Sequence, residues 1–290
     1  MDQTNELSFY AAPGPMTTLD GLQHELAAVP AAPGSVPGVV QGLVVHDAWA
    51  SAYHVRVPPA RWAEGQIRSA SRMLRRVFEL DGRPLTEARP PRHRFVGNCR
   101  HFSTLTVAFL RHQGVPSRAR CGFASYFEPG TWHDHWVVEY WDGQCWATMD
   151  PQVDELQREM IGMAADPTAL PPGMFVPAGE AWRLWRHGEE DMEAFRAGEE
   201  RGPSTVIGNL ARDLAALNKV EMLPWDGWGV LCAPGASPPE GLVDDIAELS
   251  TSGDFEAVRQ RYEADTGLKV PGRVHVRVAA GAEPDVMELA

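Results

Sequence analysis

The strongest hydrophobic period lies within residues 60–80. Ile67, Ala70, Met73, Leu74, Val77 and Phe78 recur at the spacing of one helix face, and Asp81-Gly82 stops the run. A second helix is expected from about 99 to 112, with Phe102, Leu105, Ala108 and Phe109 as its stripe. Asn98 stands at its N-cap position, Gly114 at its C-terminal cap, and Pro116 lies just beyond. This helix is the more apolar of the two, which argues for a central place. The period then shortens, and strands are expected near 118–127, 133–141 and 144–150. Beyond 151 the pattern turns helical again. Trp182, Trp185, Met192 and Phe195 suggest one or two helices, and Ile207, Leu210, Ala211, Leu214 and Leu217 share a face over 204–218. Two short acidic helices, about 240–249 and 254–265, precede an extended tail. Residues 1–60 hold no lasting period: AAPGP (11–15) and VPAAPGSVPG (29–38) are loop material around one short helix. There is no internal repeat and no clean linker, so one domain is expected.

The last two strands flank Asp142-Gly143, a hairpin signal. If those two residues alone form the turn, Trp141 faces Gln144 and His135 faces Asp150, with an imidazole beside a carboxylate on one sheet face. The opposite face carries Trp136, Val138 and Tyr140 against Met149, Ala147 and Cys145, and reads as core. Cys99 opens the central helix, where the dipole and unpaired amides favour a thiolate and offer donors to an oxyanion. A buried structural thiol is the ordinary fate of a lone cysteine. A nucleophile, a base and an orienting acid are what acyl transfer needs, and Cys99, His135 and Asp150 supply the three types.

Composition narrows the field. The chain has 290 residues, 44% hydrophobic, with a net charge of −13, so affinity for nucleic acid is not expected. Its start, MDQTNELSFY, lacks the pattern of a secretory signal, and no apolar run would span a bilayer. The expectation is a cytoplasmic protein without a membrane partner. The four cysteines, Cys99, Cys121, Cys145 and Cys232, form no CxxC pair, and Cys121 and Cys145 read as core. No GxGxxG or P-loop is present, and no cofactor is implied. His133 and His135 form an H-x-H that would suit a metal, but a third ligand at metal spacing is missing, so no metal is expected.

Three blocks carry a resemblance. GNCRHFSTLTVAFLRHQGVPSRARCGF, HDHWVVEYW and GQCWATMDPQ, in that order over about 95–153, resemble the nucleophile helix, histidine strand and aspartate strand end of the transglutaminase-like superfamily, which is papain-like. AGEAWRLWR and NLARDLAALNKVEMLPWDGWG are similar to the C-terminal part of an actinobacterial-type subgroup. The resemblance implies an α+β fold, a central nucleophile helix packed on an antiparallel sheet. Helical additions would flank a core of about 95–153: one over 1–94, one over 154–280, then a tail at 281–290. It implies Cys99 as nucleophile, His135 as base and Asp150 as orienter, acting on a peptide or small-molecule amide through a thioester. Hydrolysis is favoured, since water is always available; transfer to an amine is the alternative, as is a domain that keeps only a binding groove. His101 departs from the aspartate that many relatives carry two residues after the cysteine. Asn98, His101, Trp132, His133 and Trp136 are the candidate substrate-side residues, although Asn98 reads equally as a cap and Trp136 as core. Arg118 and Arg120, on one strand face, would suit a substrate carboxylate or a solvated surface. Trp225 and Trp228 would suit a cover over the cleft. Oligomeric state is not legible.

Overall fold

The computed structural model describes residues 3–276 and 285–288. It is an α+β protein whose chain divides into two compact units. Of the described residues, one is built from 3–119 and 136–171, the other from 120–135, 172–276 and 285–288. The division passes through two regular strands, Ser117–Ala124 and Trp132–Trp141, rather than at the edges of the expected 95–153 core. Most of the expected tail, 281–284 with 289–290, lies outside the described residues.

The first unit centres on the helix Cys99–His112, whose residues from Cys99 to Arg111 are all buried. A helix buried all round must satisfy its charged side chains internally. Arg111 does so by donating to the carbonyls of Ser117 (3.0 Å) and Tyr10 (3.3 Å) and to Thr17 Oγ1 (2.9 Å). Gly114, at φ +76°, ends the helix in the left-handed conformation expected of it. The helix Ala70–Leu80 buries Ala70, Met73, Leu74 and Val77 of the predicted stripe, with Phe78 half-buried and Ile67 outside the helix. Its expected first turns are instead a 3-10 helix, Pro59–Gln66, because Ile67 is extended and breaks the α run.

The sequence pattern missed a short parallel pair, Val44–His46 against Phe95–Gly97. Three-residue strands are too short to show a period. This pair delivers the chain directly to Cys99. It is pinned by Glu64, which accepts the Val96 amide at 2.8 Å and is held by Arg61 and Arg76. Burial opposes the charge on Glu64, yet those hydrogen bonds keep its carboxyl below the usual range.

The hairpin Trp132–Trp141 with Trp146–Met149 forms, but in a different register. Val138 faces Met149 and Trp141 faces Trp146, leaving a four-residue loop, Asp142 to Cys145. Asp142 is the reason. Its Oδ1 accepts the amides of Gln144 (2.7 Å) and Cys145 (2.8 Å), so its side chain closes a wider loop than a two-residue turn. Cys145 is therefore exposed in the loop and not part of the core, whereas Cys121 is fully buried.

In the second unit, Phe175–Pro177 pairs antiparallel with Gly122–Ala124, and Phe195–Ala197 pairs in parallel with Trp132 and His133. The helices Ala178–Arg186, Pro203–Leu217, Glu240–Thr251 and Phe255–Ala264 complete it, the last three within two residues of their expected limits. The extended segment Arg273–Val276 is a strand, paired with Asp285–Glu288 and with Asp226–Gly227.

Candidate active site

Cys99 is the first residue of its helix and is 6% exposed. Asn98, extended, caps it: Oδ1 accepts the Arg100 amide at 3.2 Å, and the Asn98 amide donates to His101 Nδ1 at 3.0 Å. This is a reciprocal capping box with histidine in the place of the usual Glu or Gln. Two amides of the first turn are thus taken by the cap, which narrows the expected set of oxyanion donors. Gly97 has a steric reason. A Cβ there would lie 2.9 Å from His101 Cβ and Cγ, so the ring can fold back over the chain only because residue 97 is glycine.

His101 is fully buried. Its Nε2 lies 3.2 Å from the Ile67 carbonyl. A neutral ring protonated at Nε2 donates there and leaves Nδ1 to accept from Asn98. Burial, reinforced by the Arg100 charge, pushes its pKa down to about 3, against a smaller opposing pull from Asp47.

Asp150 is fully buried at the end of the Trp146–Met149 strand. Its Oδ1 accepts the amides of Gln152 (2.8 Å) and Val153 (3.4 Å), and its own amide donates to Pro167 O at 2.7 Å. Gln41 holds the next turn through the carbonyls of Pro151 and Val153. The carboxylate is thus tied through Oδ1 to the backbone that follows it.

The observed register removes the direct opposition of His135 and Asp150 expected from a two-residue turn. Continued one step past Val138, it sets Asp150 against Val137. The shift is by two residues, which preserves faces: His135 and Val137 share one face of their strand. Within the second unit His135 is 2% exposed, with its ring edge-on to Phe127 (5.0 Å) and Tyr126 (6.0 Å). Neither aromatic was singled out from the sequence: both fall inside the strand expected near 118–127, whereas the observed strand ends at Ala124.

The other candidates separate by unit. Trp136 is fully buried in the first unit. In the second, Trp132 donates from Nε1 to Glu190 (2.9 Å) and stacks on Phe195, and His133 Nε2 lies 3.4 Å from Glu128. Burial, then the Arg196 charge, holds His133 below its ordinary pKa despite Glu128. Among the described residues no three metal-ligating side chains come together. The two strand arginines have protein partners: Arg118 binds Glu6 and Glu139 and lies 4.1 Å over the Trp146 ring, and Arg120 grips Asp213 with two hydrogen bonds. Neither is left for a substrate carboxylate.

The segment that carries Asn98–His101, the first strand of the hairpin and Asp150 also has a family signature. Residues 81–151 match the transglutaminase-like superfamily. This transglutaminase-like segment ends one residue after Asp150 and contains all three candidate triad positions. No curated protein matches the chain. A solved structure from Cytophaga hutchinsonii, carrying the provisional name of cysteine protease, is similar at 16% identity with a TM-score of 0.33. The match covers 58% of this chain and 44% of that one, so the chain spans less than half the length of that relative. Among the described residues no helix is long and apolar enough to cross a membrane.

Proposed function

We propose that the protein is a cysteine-dependent acyl-transfer enzyme acting on an amide through a thioester. The observation that carries this reading is the start of the Cys99 helix. A thiol occupies the first helical position behind a fully built cap, inside the transglutaminase-like segment. In this reading Cys99 Sγ attacks the amide carbonyl as His135 takes the thiol proton. His135 returns that proton to the leaving amine, and the C–N bond breaks to leave a thioester on Cys99. Asp150 holds the imidazole in orientation. Water, deprotonated by His135, then releases the acid and restores the thiol; an amine at the same step would give a new amide. Hydrolysis is the favoured outcome, and cleavage of a peptide or small-molecule amide the favoured reaction.

Acylation by an activated ester, p-nitrophenyl acetate, tests the reading by peptide mass spectrometry. An acetyl group on Cys99 that turns over in wild type, persists in His135→Ala and is absent from Cys99→Ala is expected. Acetylation spread over the exposed Cys145 and lysines with none on Cys99 would overturn it. Adding a primary amine during turnover separates hydrolysis from transfer.

A further inference from the structure

One cavity of the second unit is lined by Asp134 but not by His135. It has a volume near 960 Å³, a size suited to a small-molecule ligand, and lies wholly among residues of that unit. It borders Asp134, whose side chain leaves the strand on the opposite face from that of His135. Two tryptophans, Trp185 and Trp225, form part of its wall and are only half-buried.

Two arginines line it, Arg201, which is exposed, and Arg212, which is half-buried. The Arg212 guanidinium is held by three neutral acceptors: Leu223 O (3.3 Å) from Nε, Asn209 Oδ1 (3.2 Å) from Nη1 and Asp226 O (3.1 Å) from Nη2. A guanidinium has five N–H groups, so one remains on each terminal nitrogen. Two such donors are what a carboxylate accepts in a bidentate pair. Arg212 has no carboxylate partner among the described residues, while the acids around it are engaged. Asp134 accepts from Asn209, Asp226 takes the Leu223 amide, Glu240 pairs with Arg186, and Glu200 has a partner of its own. The arginine is also sterically provided for: a Cβ on Gly208 would come within 2.9 Å of its Nη1.

A guanidinium held by neutral acceptors, with one N–H left on each terminal nitrogen, beside two half-buried indoles is recognition chemistry for an anion on a flat apolar body. We propose that this cavity binds a small carboxylic acid with an aromatic or similarly flat body, its carboxylate on Arg212 and its body against Trp185 and Trp225. The proposal does not rest on the thiol chemistry of Cys99.

Calorimetric titration of the full chain with naphthoate and with the isosteric naphthamide tests it. Naphthoate should bind at least about tenfold more tightly than the amide, the margin one charge-assisted bidentate pair supplies. It should shift the indole N–H signals of Trp185 and Trp225 in NMR spectra. Arg212→Gln should reduce naphthoate to the affinity of naphthamide, and Trp225→Ala should weaken both. Because Arg212 also ties down Leu223, the wild-type comparison of acid and amide decides the matter even if Arg212→Gln does not fold. Equal affinities, no binding of naphthoate at millimolar concentration, or undiminished binding to a folded Arg212→Gln would overturn the proposal.

Discussion

At the scale of single residues, the sequence around Cys99 is a local device. Gly97 leaves room for a ring, His101 folds the ring back, and Asn98 closes the box. His101 was expected on the substrate side because it departs from the aspartate of many relatives. The structure gives its two ring nitrogens to Asn98 and Ile67. Its depressed pKa makes a pH prediction. The folded state holds the ring neutral to about pH 3, whereas the unfolded chain takes up a proton near 6.5. The unfolded state thus binds more protons between these values, so the contribution to stability is full above about pH 6.5 and falls as pH drops toward 3. Urea denaturation across this range should show a shallower acid limb in His101→Gln than in wild type. Equal limbs would mean that other groups carry the acid sensitivity.

At the scale of elements, the long periodic segments were legible and the short ones were not. The helices at 99–112, 204–218, 240–249 and 254–265 are present within two residues of their expected limits, the first two on a clear apolar stripe. Strands of three residues, such as Phe95–Gly97, have no period to read. The hairpin register was misjudged by two residues because Asp142 closes the loop with its side chain, which the Asp-Gly signal does not reveal. Since a side chain alternates every residue, the faces survived the error although the direct opposition of His135 and Asp150 did not.

Helix packing gives a matched pair of predictions. A Cβ on Gly179 would strike Ser250 Oγ and lie 2.8 Å from the Ala247 carbonyl, while one on Gly241 meets nothing within 4 Å. Gly179→Ala should destabilise by about 1–3 kcal/mol through overpacking. Gly241→Ala, in an exposed helix turn, should stabilise by up to about 1 kcal/mol. Denaturation midpoints of the two variants should move in opposite directions. The buried Arg120–Asp213 pair predicts a larger loss. Asp213→Ala strands a buried guanidinium and the Cys121 amide, and should cost about 3–5 kcal/mol in the same measurement.

At the scale of the whole molecule, the sequence offered one domain and no linker, and the structure resolves two compact units. Two of its crossings run through Ser117–Ala124 and Trp132–Trp141, where the chain is regular strand and carries no proline, and the third falls at Pro171-Pro172, which reads as an ordinary loop. The transglutaminase-like segment, 81–151, itself draws on both units. The Trp225–Trp228 turn was expected as a cover for the cleft. Trp225 instead borders the second unit's own cavity, and Trp228 is buried with its Nε1 on Leu268 O at 3.1 Å.

The central claim, an activated thiol at Cys99, is tested most directly by alkylation of the native protein with iodoacetamide at about pH 6, read peptide by peptide. An ordinary thiol, with pKa near 8.5, is almost wholly protonated there and reacts slowly. The other cysteines are poor competitors: Cys121 is buried, the Asp142 charge pushes the Cys145 thiol up, and burial pushes Cys232 up. The account predicts that Cys99 alone is labelled fast and that His135→Ala abolishes the difference. Labelling of Cys99 no faster than that of Cys121, Cys145 or Cys232 would contradict it.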